Sequence, residues 1–188
     1  MKIMILDEQG YQPAIIGLSL SHNISFSRAE MVARKLAPMD GGHNKFLESM
    51  FVWLDIDAPR HWWQEADTYR ISTKQSESTM HTIQKRLLVQ DDFETPIPEC
   101  MLDAINIALI AYQQHTTKEN LFLLKNLIPE GFLQRRVWCV SYKTLRNILK
   151  QRHDHRQPGW REVFCPFIME NVNHPYFLAD CIRKEQQI

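Results

Sequence analysis

The sequence predicts an α+β fold, an antiparallel sheet with helices packed against it. Residues 50–57 alternate with period two: Met50, Val52, Leu54 and Ile56 against Phe51, Trp53, Asp55 and Asp57, a strand with unlike faces. Residues 100–114 place Met101, Ile105, Ala108 and Tyr112 on one helical face, with Leu102 and Leu109 beside them. Strand signals concentrate in the N-terminal half and helical ones in the C-terminal half, the segregation expected of an α+β rather than an α/β chain.

The remaining elements can be taken in chain order. Residues 2–6 and 14–20 read as strands separated by the turn Gln9-Gly10-Tyr11-Gln12-Pro13. Ser27-Arg28-Ala29-Glu30 has the form of a capping box opening a helix over 31–36, closed by Pro38 and Gly41-Gly42. Pro59 ends the 50–57 strand, and 61–66 suits a short helix. Residues 68–82 form a polar stretch, 83–89 are weakly helical, and acids and prolines make 91–98 a loop. Residues 118–128 make a second long helix, stopped by Pro129-Glu130-Gly131. A strand is expected over 135–140 and a helix over 144–152, with Leu145, Leu149 and Arg152 along one stripe.

The chain has 188 residues, 22 basic and 22 acidic side chains, and no repeat or linker, so it reads as one domain over 1–188. Balanced charge argues against a broad nucleic-acid-binding surface. No apolar run reaches the roughly 20 residues of a membrane span, and the N-terminus lacks an export signal, so a cytoplasmic location is expected. Cys100, Cys139, Cys165 and Cys181 lack the C-x-x-C pairing of zinc or redox sites and read as reduced, mostly buried thiols. There is neither a Gly-rich phosphate loop nor a Gly-x-Ser-x-Gly elbow.

Three clusters can carry chemistry. Gly42-His43-Asn44-Lys45-Phe46-Leu47-Glu48 precedes the clearest strand. It is either a loop with a capping carboxylate or a ligand site using His43 and Glu48. Thr68-Tyr69-Arg70, with Ser78 beyond a seven-residue gap, offers a planar guanidinium fork and a short hydroxyl to oxyanions, or else a solvated loop. Trp138 through Arg152 sets a guanidinium on an apolar stripe, which costs free energy unless it snorkels, pairs or binds a ligand. His153-Asp154-His155 reads as a solvated helix end rather than a metal site, because imidazoles two apart do not share a helix face.

From about residue 14 to 168, these blocks together resemble the flavin-dependent thymidylate synthases, also called thymidylate synthase-complementing proteins. The family carries His-x-Thr-Pro-Phe-Glu-His before a strand ending in Ala-Pro or Cys-Pro; here stand His43 to Ser49 and Ala58-Pro59. The family signature Arg-His-Arg-x7-Ser falls without a gap on Thr68-Tyr69-Arg70 and Ser78. The family's Trp-Thr-Val-Asn strand and Leu-x-Asn-Phe-Leu-x-x-Arg helix fall on Trp138-Cys139-Val140-Ser141 and Leu145 to Arg152.

The resemblance implies a thymidylate synthase-complementing-protein-like fold and flavin-dependent methylation of a pyrimidine deoxynucleotide, dUMP or a relative. In that reaction reduced FAD passes hydride to the pyrimidine ring, methylenetetrahydrofolate supplies the carbon, and NADPH reduces the flavin. It further implies FAD contacts from His43, Glu48, Tyr69, Arg70 and Asn147. Nucleotide contacts are implied for Glu65, Ser78, Lys125 and Arg152, with Arg152 catalytic at the pyrimidine edge. It implies a homotetramer with flavin sites between subunits, and the divergence suits a phage or bacterial setting. The alternative is a catalytically silent relative that binds FAD or nucleotide. Thr68, Tyr69 and Met80 stand where the family has Arg, His and Arg, and Glu65 where it has Gln. Two phosphate-side cations are thereby absent, each worth about 1.5–3 kcal/mol as a charged hydrogen bond. Arg60, His61, Lys74 and His81 are the nearby basic residues that could replace them.

Overall fold

The computed structural model describes residues 1–182, apart from the side chains of His22, Thr79 and Met80. Strand β1 (Lys2–Gln9) leads into helices α1 (Tyr11–His22) and α2 (Phe26–Leu36). A 3-10 turn at Lys45–Glu48 precedes β2 (Phe51–Pro59), which runs into α3 (Arg60–Ala66), β3 (Ser72–Ser76) and the short α4 (Thr79–Thr82). Helices α5 (Glu99–Gln114) and α6 (Lys118–Leu127) precede β4 (Leu133–Ser141) and α7 (Tyr142–Arg152). A π-helix at Gly159–Phe164 continues into α8 (Cys165–Asn171). The antiparallel sheet has the order β1-β2-β4-β3, which bears out the α+β class.

The chain divides into two compact units. The first comprises Met1–Lys2, Ile56–Thr68 and Gln75–Arg136. Its core is built where α5 packs on α6: Ile105, Leu109 and Leu124 are fully buried, with Ile83, Leu88 and Phe132 packed around them. The helical period read over 100–114 is the cause, since Leu102, Ile105, Ala108, Leu109 and Tyr112 form one buried stripe, whereas Met101, expected on that face, is exposed.

The second unit comprises Ile3–Asp55, Tyr69–Lys74 and Val137–Ile188. Its core holds large aromatic side chains, among them Trp138, Trp160, Tyr142, Phe164 and Phe177. Along β2 within this unit, Val52 and Leu54 are buried and Phe51 is exposed, as the alternation predicts, but Asp55 is buried too.

The 14–20 segment is a helix, not the expected strand. Ala14, Ile15 and Leu18 are its buried residues, an i, i+1, i+4 face that the two adjacent isoleucines disguise as a strand. Gly10 makes the break from β1. Its φ is +94°, and a Cβ there would lie 2.0 Å from the Ser49 carbonyl oxygen, so only glycine fits.

Helix α2 starts earlier than expected: the cap is Ser25, whose hydroxyl accepts from the Arg28 amide. Glu30 accepts instead from the Tyr11 hydroxyl at 2.5 Å. The 68–82 stretch contains β3 and α4, which its polar sequence hid, and 83–89 keeps only a 3-10 turn at Ile83–Lys85. Cys165 and Cys181 are buried as expected, whereas Cys139 is half-buried and Cys100 exposed. No helix among the described residues is long and apolar enough to cross a membrane.

Candidate functional site

Helix α7 positions the most specific block. Ser141 caps it by accepting from the Thr144 amide at 3.1 Å. Leu145, Ile148 and Leu149 are fully buried on one face. Arg146 lies among them, 2% exposed, and forms a bidentate pair with Asp180 at 2.6 and 2.5 Å while also donating to the Phe177 carbonyl. Burial pulls the Asp180 carboxyl up, but the hydrogen bond and charge of Arg146 outweigh it and hold the group below the ordinary carboxylate value. The pair fixes the register of the helix that presents Asn147, Gln151 and Arg152.

Those three side chains belong to one hydrogen-bond chain. Gln151 donates to the Asn147 amide oxygen at 3.2 Å and accepts from the Tyr69 hydroxyl at 3.0 Å. Arg152 donates through Nε to the same hydroxyl at 2.9 Å, and its Nη1 lies 2.7 Å from Nε2 of His155. The guanidinium also lies 5.2 Å from the Trp160 ring centroid and 5.7 Å from that of Tyr69. The two rings meet edge to face. Arg152 is therefore neither snorkelled nor loose: it is aimed by Tyr69 and Trp160. His155, expected in a solvated helix end, helps to hold it.

The π-helix carries Trp160 to this position, with Trp160 and Phe164 both fully buried. Cys165 comes next in the chain; burial pushes its thiol up to about 12, against the opposing pull of the Arg152 charge. Tyr69 itself is buried. Lys74 donates to its backbone carbonyl at 3.2 Å and stacks over Trp138 at 4.7 Å.

The remaining expected cofactor contacts also lie in the second unit. His43 lines a cavity of about 620 Å³ with Gly41, Gly42, Lys45, Phe46 and Ser49. Glu48, Arg70 and Asn147 are exposed. Glu48 sits at the end of the 3-10 turn, and Asn147 is linked to Tyr69 through Gln151.

The first unit holds a cavity of about 390 Å³, lined by Ser78 and Lys125. Motif position pairs these residues as phosphate contacts, although they lie far apart along the chain. Arg60, Arg136 and Gln134 line it as well, above an apolar floor that includes Leu124 and Ile128. Glu65 is half-buried on α3 and does not line it.

Arg60 donates weakly to the Ile128 carbonyl at 3.4 Å and lies 3.6 Å from Glu130. Arg136 donates to both oxygens of Asp67 at 3.1 and 3.0 Å and to the Gln134 side chain at 2.8 Å, and stacks over Trp63 at 4.6 Å. Of the other nearby basic residues, His61 pairs with Glu94 at 2.7 Å. Sequence reasoning misses Arg136, Gln134 and Gln151; the only signal is a second arginine facing inward on the Arg135–Val140 strand.

No family model matches the sequence, and no curated protein matches it. Solved structures match it over nearly the whole chain. Thymidylate synthase X from Helicobacter pylori, crystallised with FAD and dUMP, superposes with a TM-score of 0.79 at 15% identity, covering 98% of this chain and all of that one. A second structure, of the flavin-dependent thymidylate synthase of Helicobacter pylori complexed with FAD and dUMP, gives 0.79 at 16% identity, covering 97% of this chain and all of that one. The resemblance read from three short blocks thus holds at the level of architecture, and the chain has the fold of the flavin-dependent thymidylate synthases.

Proposed function

We propose that this chain methylates a pyrimidine deoxynucleotide, dUMP or a close relative, in a flavin-dependent reaction. The observation that carries the reading is that Ser78 and Lys125, paired by motif position alone, line one cavity in a fold whose solved examples hold FAD and dUMP. Ser78 donates a hydroxyl and Lys125 a mobile ammonium to the phosphate. Arg152, held by Tyr69, favours the negative charge that develops on the ring. Tyr69 acts at one remove, because its buried hydroxyl is engaged by Arg152 and Gln151.

The donor set of the second unit fits a flavin dinucleotide. An imidazole at a cavity of about 620 Å³ and the exposed Arg70, Asn147 and Glu48 offer donors and acceptors to phosphate, ribose and ring edges. The chemistry that FAD supplies when bound is hydride transfer. Methylenetetrahydrofolate as carbon donor, NADPH as reductant, assembly as a homotetramer and a cytoplasmic setting in a bacterial or phage-infected cell belong to the same proposal. The test is flavin release on boiling, together with tritium release from ring-labelled dUMP and dCMP. Yellow protein that exchanges one of them supports the reading. Colourless protein that refuses added FAD and exchanges neither sinks it in favour of a silent relative.

A further inference from the structure

We propose that Arg60 and Arg136 are the cations with which this chain recognises a phosphate monoester, and that Glu130 and Asp67 hold them in reserve until the phosphate displaces those carboxylates. The inference rests on reading the first unit's cavity as the nucleotide-phosphate site. Neither position is one that the family resemblance assigns. Thr68 and Met80 stand where that resemblance calls for arginines, so cationic contacts have to come from elsewhere.

Both guanidiniums line the same cavity as Ser78 and Lys125. Arg136 is oriented in advance: Trp63 supports its plane, and Gln134 accepts from its Nε at 3.1 Å and its Nη2 at 2.8 Å. Arg60 keeps only a weak contact with the Ile128 carbonyl at 3.4 Å. These holding contacts are neutral and survive if the carboxylates leave.

The carboxylates are the more exposed partners. The side chains of Asp67 and Glu130 are 49% and 50% exposed, against 15% for Arg136, so each ion pair is a weak one that an incoming anion can compete with, although Glu130 also accepts from Gln64 at 2.8 Å. Arg60, Lys125 and Arg136 line the cavity, and Glu130 and Asp67 pair with two of them at rest. A phosphate monoester brings nearly two charges and three acceptor oxygens on one group, and suits two planar forks better than separate carboxylates do. Ile83, Leu124 and Ile128 leave the rest of the cavity apolar, suited to an uncharged remainder of the ligand.

Calorimetric titration of the full chain with dUMP, deoxyuridine and inorganic phosphate tests this, with thermal melts to confirm folding. Arg60→Gln and Arg136→Gln should each weaken dUMP binding about tenfold or more and leave deoxyuridine binding unchanged. Arg136→Lys should recover part of the loss. Asp67→Asn and Glu130→Gln should tighten both dUMP and phosphate, a gain that merely structural ion pairs would not give. If both Gln variants bind dUMP like the parent while Lys125→Gln loses it, the re-sited cations are wrong and the nucleotide reading stands. If the parent binds inorganic phosphate with this mutational pattern but not dUMP, the cations are right and the nucleotide reading falls. A parent that binds neither overturns the inference.

Discussion

The two units hold the arginines of the proposed sites in different ways. In the first, Arg60 and Arg136 lean on exposed carboxylates. In the second, Arg152 is aimed by a tyrosine hydroxyl, an imidazole and an indole face. A carboxylate neutralises a guanidinium and can be exchanged for another anion. A hydroxyl and an aromatic ring fix its direction. The first arrangement suits capture of an anionic group that comes and goes. The second suits a charge that must be in place when electron density builds on a ring.

The sharpest way to break the comparison is Arg152→Ala. Tritium release from ring-labelled dUMP should fall by about 10²–10³-fold, the usual cost of losing one preorganised donor, with bound flavin retained. Activity close to the parent's would remove Arg152 from the chemistry.

Arg146 supplies the contrasting case within the second unit, a guanidinium that is both buried and carboxylate-paired. Asp180→Ala leaves the buried Arg146 guanidinium without its charged partner and should cost about 3–5 kcal/mol in urea unfolding, as broken buried pairs do. A loss below about 1 kcal/mol, the range of an exposed pair, would show that it does not anchor α7.

Acid should expose the same pair. The folded-state pKa of Asp180 is lowered, so its stabilisation is complete above the unfolded value of about 3.9. It fades as pH falls through the folded value. Unfolding midpoints measured from about pH 5 downward should drop more steeply for the parent than for Asp180→Asn. Parallel curves would contradict the assignment.

The gentlest test is Tyr69→Phe. Removing the hydroxyl takes away its bond to Gln151 and the charge-assisted one from Arg152, about 1–3 kcal/mol, and should lower kcat about tenfold with KM unchanged. The melting temperature should move little, because the ring still packs on Trp160. An equal effect on KM would give Tyr69 a direct ligand contact.

The features that the sequence discloses and those that it hides divide along the range of the interactions. Strand β2, helices α5, α6 and α7, and strand β4 are legible because their patterns are local: alternation in one, 3.6-residue stripes in the helices, a proline or glycine at the ends. The 14–20 helix is not, because Ile15-Ile16 satisfies both periods and only the neighbouring elements decide between them. Motif spacing pairs Ser78 and Lys125, which line one cavity, because such spacing carries long-range information in compressed form. Arg136, Arg146 and Gln151 have no such spacing. Their partners Asp67, Asp180 and Tyr69 lie 69, 34 and 82 positions away, and only folding brings each pair together.

The wide turn at Gly159–Phe164 governs how this chain tolerates change. A π-helical turn is an α-helix with one residue to spare. Deleting Arg161 there would let the segment relax to ordinary pitch, which keeps its two ends nearly in phase but removes the wide turn that seats Trp160. The indole would then no longer support the guanidinium, although every side chain in the site remained present. Substitutions can be absorbed one atom at a time, but a frame of this kind is sensitive to the count of residues, and a shortened relative would keep the fold while losing its aim.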